Sequence, residues 1–492
     1  MARSPGTQRS SVRHTAAFRS AYVCFVRRPV FGSAQLKLSS IGVALALSAW
    51  AISGGSTRSG ASVLLISIDG LQPRDLVATG ESTPRIPELR RLVAEGAHAE
   101  GVRGVVPSLT FPAHTTLVTG VDPARHGITH NKPFDPLGRN ADGWFFYAED
   151  IQVPTLWDAA RIAGLTTASV EWPVSVGADI TWNIAQYGRP DDRRRADHAK
   201  VIRALSSRGV VVEAEHALGG TYPSGALGSI EEDERRAAFS AYLLEKKHPR
   251  LHLAYFSALD EARHRGGPDG RAVRDVLEKL DVLVGRLRRA AERSGPTVVA
   301  VVSDHGFTTT RRELDLNEAL RAQGLLQLDA NGGIRGFRAI AWGLGGSAAV
   351  VLRDPHDEQA RRQVRSLLSD LAAGKDAPVE SFSEASDVRG GSPAPVFRVF
   401  LALDTRMVDA RSGFWTRACE PIGDHGHDPR HPEMDAAFVI AGPGVPRGAT
   451  LGRVEMRDVA PTLASLLGLE MLTADGRNLL DQRSILARAS HR

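Results

Sequence analysis

Four short runs of consecutive apolar residues set what this chain can fold into. Val63-Leu64-Leu65-Ile66-Ser67-Ile68 is the clearest, and comparable runs recur at 251–259, 297–303 and 436–441. A strand with one wet face alternates apolar and polar side chains. An unbroken run of β-branched residues and leucine is apolar on both faces, as in a parallel sheet covered on each side. Helical periods lie at 83–95, 155–163, 270–293 and 457–467. Strands alternating with helices predict an α/β fold, a doubly wound, mostly parallel sheet with smaller inserted lid regions. In three of the runs a carboxylate sits at the C-terminal end: Asp69, Asp260 and Asp304. Open α/β sheets bind ligands outside the carboxyl ends of their strands, so these acids are expected to share one crevice.

The segments around those acids carry more chemistry. Ser108-Leu109-Thr110-Phe111-Pro112-Ala113-His114 offers a hydroxyl, and Asp260-Glu261-Ala262-Arg263-His264 places two ligand types four residues apart. On a helix that spacing puts both side chains on one face. Asp304-His305 is followed by Gly306, which permits the sharp turn two adjacent ligands need. Gly423-Asp424-His425-Gly426-His427 is a glycine-flanked loop able to bring in an imidazole from far along the chain. Each piece alone is weak, since an Asp-His pair is usually a cap or a surface pair. Their joint occurrence supplies enough ligands for two metal ions plus a nucleophile and points to hydrolysis at phosphorus. A mixed oxygen–nitrogen set suits zinc best, with manganese or iron as alternatives.

Composition excludes one function class. The 492-residue chain has a net charge of +5, yet residues 1–60 contain no acid and hold Arg3, Arg9, Arg13, Arg19, Arg27, Arg28, Lys37 and Arg58. Taking those eight charges away leaves the remainder at −3, so the sequence pI of 9.4 does not signal nucleic-acid binding. The basic head, the apolar run 41–52 and the small residues Ser53-Gly54-Gly55-Ser56 follow the order of an export signal. The protein is therefore expected to be exported, periplasmic or extracellular, with the 41–52 run as an alternative membrane anchor. Cys24 and Cys419 are the only cysteines, so no intrachain disulfide is expected. A catalytic domain is expected over 61–480, with insertions at about 188–250 and 325–410. The charge runs at 191–195 and 231–236 read as a solvated helical face.

Ile68-Asp69-Gly70, the threonine segment from Pro107 to His114, His126-Gly127-Ile128 with Asn131, Asp260 with His264, Ser303-Asp304-His305-Gly306 and His425-Gly426 resemble the nucleotide pyrophosphatase/phosphodiesterase family. That family belongs to the alkaline phosphatase superfamily, and the similarity spans about residues 62–470. The resemblance implies one zinc held by Asp69, Thr110, Asp304 and His305, and a second held by Asp260, His264 and His425. It implies Thr110 as the nucleophile of a phosphothreonine mechanism and Asn131 as a hydrogen-bond donor to the phosphate. Phe111 would border the leaving-group pocket. Tyr187, Trp172 and residues 144–147 are candidates to stack a base or line an acyl channel, with core packing the more common role for aromatics near a cleft. His114 and Asp424 read as outside the ligand set. His427 stands where the family has an aromatic residue and reads as a surface side chain.

The expected function is an exported two-zinc phosphodiesterase or pyrophosphatase acting on small phosphate diesters or nucleotides. The competing readings are a phosphomonoesterase or phosphonate hydrolase on the same scaffold, and an inactive secreted binding protein. The complete ligand set argues against the last.

Overall fold

The computed structural model describes residues 61–80, 83–140, 143–188, 197–222, 228–385, 394–411 and 413–481. The basic head with Cys24 and the 41–52 run and the 191–195 charge run fall outside them. Among the described residues, no helix is long and apolar enough to cross a membrane.

An eight-stranded sheet organises the molecule. Its strands are β1 (Ser62–Ile68), β2 (Ala97–His98), β3 (Thr167–Val170), β4 (Trp182–Ile184), β5 (Leu251–Phe256), β6 (Thr297–Val302), β7 (Phe438–Ala441) and β8 (Ala449–Thr450). In space they run β8-β2-β7-β6-β1-β5-β3-β4. The four apolar runs of the sequence thus lie side by side at the centre, as β7, β6, β1 and β5. All strands are parallel except β7, which pairs antiparallel with both β6 and β2.

Alternation along β1 shows why both faces are apolar. Val63 and Leu65 pack into one core with helices α2 (Thr110–Thr119), α3 (Leu156–Ile162) and α7 (Val459–Leu466). Leu64, Ile66 and Ile68 pack into the other, beneath α1 (Pro87–Glu95), α4 (Ile230–Lys247) and α6 (Arg271–Glu292). Burying a leucine or isoleucine fully is worth about 1.5–3 kcal/mol, so the two cores fix the register of β1 firmly.

Two expectations need correction. The 251–259 run is not one strand: β5 ends at Phe256, and Ala258 opens helix α5 (Ala258–Gly266). The cause is Asp233, whose carboxylate accepts the Ser257 and Ala258 N–H groups at 3.2 and 2.8 Å and caps the helix. Asp260 therefore sits in the first turn of a helix. The 231–236 run is not a solvated face either, because Glu232, Asp233 and Arg236 are buried. Beyond β6, residues 308–424 form a smaller α+β part with its own core, built on a four-stranded sheet of Ala339–Leu344, Ser347–Leu352, Phe397–Leu401 and Val379–Glu384.

Candidate active site

At the carboxyl ends of β1 and β6 the chain turns from apolar to acidic. Asp69 follows β1 directly, and Gly70 takes φ of +72°, a left-handed turn where a Cβ would meet the Phe307 ring at 2.6 Å. The Gly70 N–H donates to Asp304 Oδ1 at 3.0 Å, which ties the two strand ends together. His305 lies between the acids, its Nε2 3.4 Å from Asp69 Oδ1 and 3.1 Å from Asp304 Oδ2.

Helix α5 supplies a second group. His264 Nε2 is 3.4 Å from Asp260 Oδ1, one helical turn away, and its Nδ1 faces the Gly423 carbonyl at 3.1 Å. His425 enters from the glycine loop with Nε2 3.9 Å from Asp260 Oδ1 and Nδ1 3.1 Å from the Ser108 carbonyl. Its ring stacks on His305 at 3.6 Å. Three ligand groupings result, each with donor atoms within 4.8 Å of one another: Asp69–Asp304–His305, Asp260–His305–His425 and His264–Asp424–His425. Asp424, read from the sequence as outside the set, thus stands beside it and accepts the His425 N–H at 2.8 Å.

Thr110 is the first residue of α2. One flank reaches the second group directly, and the Thr110 carbonyl reaches His114, whose Nδ1 lies 3.6 Å from Asp304 Oδ2. The Ser108 carbonyl faces His425, and the Thr110 carbonyl faces His114 Nδ1 at 2.8 Å. His114 Nε2 takes Ser67 Oγ at 2.8 Å, so both ring nitrogens are engaged in bracing α2 against β1. Asn131 Oδ1 accepts the Phe111 N–H at 2.9 Å, leaving its amide NH2 as the available donor beside the helix start.

Electrostatics show what the cluster lacks. Burial, then the neighbouring Asp304 and Asp260, push Asp69 well above the usual carboxylate range. Burial and Asp260 raise Asp304 to about 7, against the Gly70 N–H that lowers it. Burial also raises Asp260, but His264 and His425 outweigh it and hold this carboxyl low. His264 is the converse: burial would lower it, and Asp260 carries it up to about 10. Burial keeps His305 and His425 neutral, the form that donates a lone pair to a metal. Asp69 Oδ1, Asp260 Oδ1, Asp304 Oδ2 and His305 Nε2 are buried without a hydrogen-bond partner. Orphaned buried polar atoms of this kind are rare unless a ligand takes them up. An acidic, nitrogen-bearing set with its free atoms converging fits divalent cations.

Beside Thr110 lies a cluster of aromatic side chains, in which Phe111 and Phe146 are buried. Phe111 lies 5.1 Å from Trp144 and 6.2 Å from Phe146, and Phe146 lies 4.8 Å from the half-buried Tyr187. Trp172 is elsewhere: it is fully buried and meets His114 edge-on at 5.1 Å. His427 is also not at the surface. It is buried, its Nε2 meets the Thr405 carbonyl at 2.9 Å, and its ring occupies the space where a Cβ on Gly346 would be. The sequence reading missed Tyr255, whose hydroxyl donates to Asp69 Oδ2 at 2.6 Å, and Phe307, whose ring touches those of His264, His305 and His425. Tyr255 could have been found as the phenol in phase with Ser67 on a neighbouring strand.

Residues 63–428 match the family model described as type I phosphodiesterase / nucleotide pyrophosphatase. The chain belongs to that family. It is an enzyme family of phosphodiester and pyrophosphate hydrolases, and its members share the alkaline phosphatase-like α/β architecture seen here. An uncharacterized pyrophosphatase/phosphodiesterase of Schizosaccharomyces pombe is 25% identical over 437 residues, covering 85% of this chain and 80% of its own. Human ectonucleotide pyrophosphatase/phosphodiesterase family member 1 is 24% identical over 82% of this chain, which spans 40% of that protein's length. Human bis(5'-adenosyl)-triphosphatase is 22% identical over 83% of this chain. Among solved structures, murine ectonucleotide pyrophosphatase/phosphodiesterase 5 superposes with a TM-score of 0.62 at 20% identity, covering 86% of this chain and all of its own. An inactive threonine-to-alanine form of it in complex with AMP superposes with a TM-score of 0.61.

Proposed function

We propose that this enzyme is a two-zinc phosphodiesterase/pyrophosphatase that cleaves small nucleotide-type diesters or anhydrides through a phosphothreonine at Thr110. The observation that carries the reading is the set of buried carboxylate and imidazole atoms without partners, drawn together at the ends of β1 and β6 and the start of α5. Asp69, Thr110, Asp304 and His305 would hold one cation, and Asp260, His264 and His425 the other. Bound zinc would lower the pKa of a nearby hydroxyl or water and neutralise charge on the phosphate.

The chain's own groups define the rest. At the start of α2 the Phe111 N–H is taken by Asn131, Pro112 has none and the Ala113 N–H bonds Leu109, which leaves the Thr110 N–H to face an anion. Thr110 Oγ1 attacks phosphorus, and the alcohol or phosphate opposite leaves with the proton. Asn131, fixed by the Phe111 N–H, donates to a nonbridging oxygen of the transferring group. Water then attacks the phosphothreonine and returns the threonine hydroxyl. Trp144 and Tyr187, half-buried at the edge of the cluster around Phe111 and Phe146, offer flat apolar surface to a nucleobase. The AMP complex of the murine relative and the dinucleotide named for the human triphosphatase support that substrate class. The basic–apolar–small order of the head and the relatives named as ectonucleotide enzymes support export.

The test is Thr110→Ala assayed with bis(p-nitrophenyl) phosphate and p-nitrophenyl TMP. Turnover should fall roughly 10³–10⁶-fold, the range seen when a nucleophile is removed. Acid-quenched wild-type enzyme given p-nitrophenyl TMP should carry one thymidylyl group, joined through its phosphorus to Thr110, by mass spectrometry. Near-normal turnover by the variant would end the proposal.

A further inference from the structure

Resting on the two-metal reading above, we propose that the Tyr255 hydroxyl is a positioning group that decides which oxygen of Asp69 faces the metal. Ser67 of β1 stands opposite Tyr255 of β5 in the parallel register, and Asp69 lies two residues further on the same face. The phenol therefore reaches diagonally to Asp69 Oδ2, which it meets at 2.6 Å. The two oxygens of a carboxylate are equivalent until one is engaged. With Oδ2 taken, Oδ1 is left without a hydrogen bond and faces His305 Nε2.

Tyr255 has little freedom to do otherwise. It is buried, His114 meets its ring edge-on at 5.0 Å, and the Arg236 guanidinium lies 5.5 Å from the ring centre. Arg236 is itself fixed by Glu171 at 2.7 Å, Asp233 at 2.7 Å and Ser257 Oγ at 2.6 Å. The hydroxyl acts through Asp69 and touches no reacting atom, so its effect belongs in metal affinity. Outer partners of metal ligands typically change that affinity about 10–100-fold.

The experiment compares the full purified chain with Tyr255→Phe and Tyr222→Phe in a competitive zinc titration, alongside melting of the zinc-free proteins. Tyr255→Phe keeps the ring and removes only the hydroxyl. Tyr222 is the control, a fully buried phenol that donates to Glu171 at 2.7 Å in the neighbouring cluster and to no ligand. Tyr255→Phe should weaken one of two zinc sites about tenfold or more and leave the other unchanged, while Tyr222→Phe weakens neither. Unchanged affinity at both sites in Tyr255→Phe overturns the proposal. So does equal weakening by Tyr222→Phe, which would make the effect one of general packing. Wild-type protein that binds fewer than two zinc ions overturns the two-metal reading itself, and is told apart because it is seen before any substitution.

Discussion

Around Arg236, three carboxylates converge on one guanidinium: Glu171 at 2.5 Å, Asp233 at 2.7 Å and Glu232 at 3.2 Å. Around His305, three carboxylates also converge, but the imidazole among them is held neutral. Both clusters are buried, and Tyr255 contacts both, through Asp69 on one side and the Arg236 guanidinium on the other. In the first, Glu171 also takes the Tyr222 hydroxyl, and Asp233 takes two backbone N–H groups. In the second, four polar atoms make no hydrogen bond. A buried charge cluster closed by its own cation is scaffold, and one left open is a place for a ligand that brings positive charge.

Removing that charge should separate the two clusters most sharply. Stripping the enzyme with a chelator and assaying diester turnover should lower activity on the order of a thousandfold, since metal catalysis supplies several kcal/mol. Added zinc should restore it. Turnover that survives exhaustive chelation would place the open cluster with the closed one.

The closed cluster should fail in the opposite way. Arg236→Ala leaves Glu171, Glu232 and Asp233 buried without their guanidinium. Breaking a buried ion pair from one side destabilises by about 3–5 kcal/mol. Urea unfolding of the variant should show that loss with or without zinc. A loss below about 1 kcal/mol would mean that the three carboxylates find other partners.

These contrasts explain what was legible in the sequence. The four central strands were, because continuous apolar runs have few other uses. The candidate residues Asp69, Asp260, His264, Asp304, His305 and His425 could be picked out because they stand in short polar segments set off from apolar runs, and the fold brings these six side chains together. Arg236 and Asp233 were not legible. In the sequence they belong to a run of six charged residues, and only packing of α4 against β5 shows which of the six turn inward. His427 was misplaced for the same reason, because burial of a loop residue depends on the distant Gly346 and Thr405. The end of the 251–259 run was set by Asp233, a cap supplied from about 25 residues upstream and so invisible to a local reading. Tyr255 was hidden by its ordinary place in a strand, since its partner lies 186 residues earlier.

The finest test asks whether neutralising one acid of the open cluster stabilises the metal-free protein. Asp304 is raised to about 7 by burial and by Asp260. A carboxyl whose folded pKa lies above its unfolded value of 3.8 takes up a proton more readily in the folded state. Its destabilising effect is fully present above about 7, declines as pH falls through 7, and is gone below 3.8. Asp304→Asn removes the charge and keeps an acceptor for the Gly70 N–H. Metal-free Asp304→Asn should therefore be more stable than metal-free wild type at pH 8, by about 1–4 kcal/mol at most, given about 1.4 kcal/mol per pKa unit. The advantage should shrink towards pH 5, while the variant loses zinc affinity throughout. Urea midpoints of both zinc-free proteins at the two pH values would show it. A variant less stable than wild type at pH 8 would mean that Asp304 is compensated from within the fold, as the acids around Arg236 are.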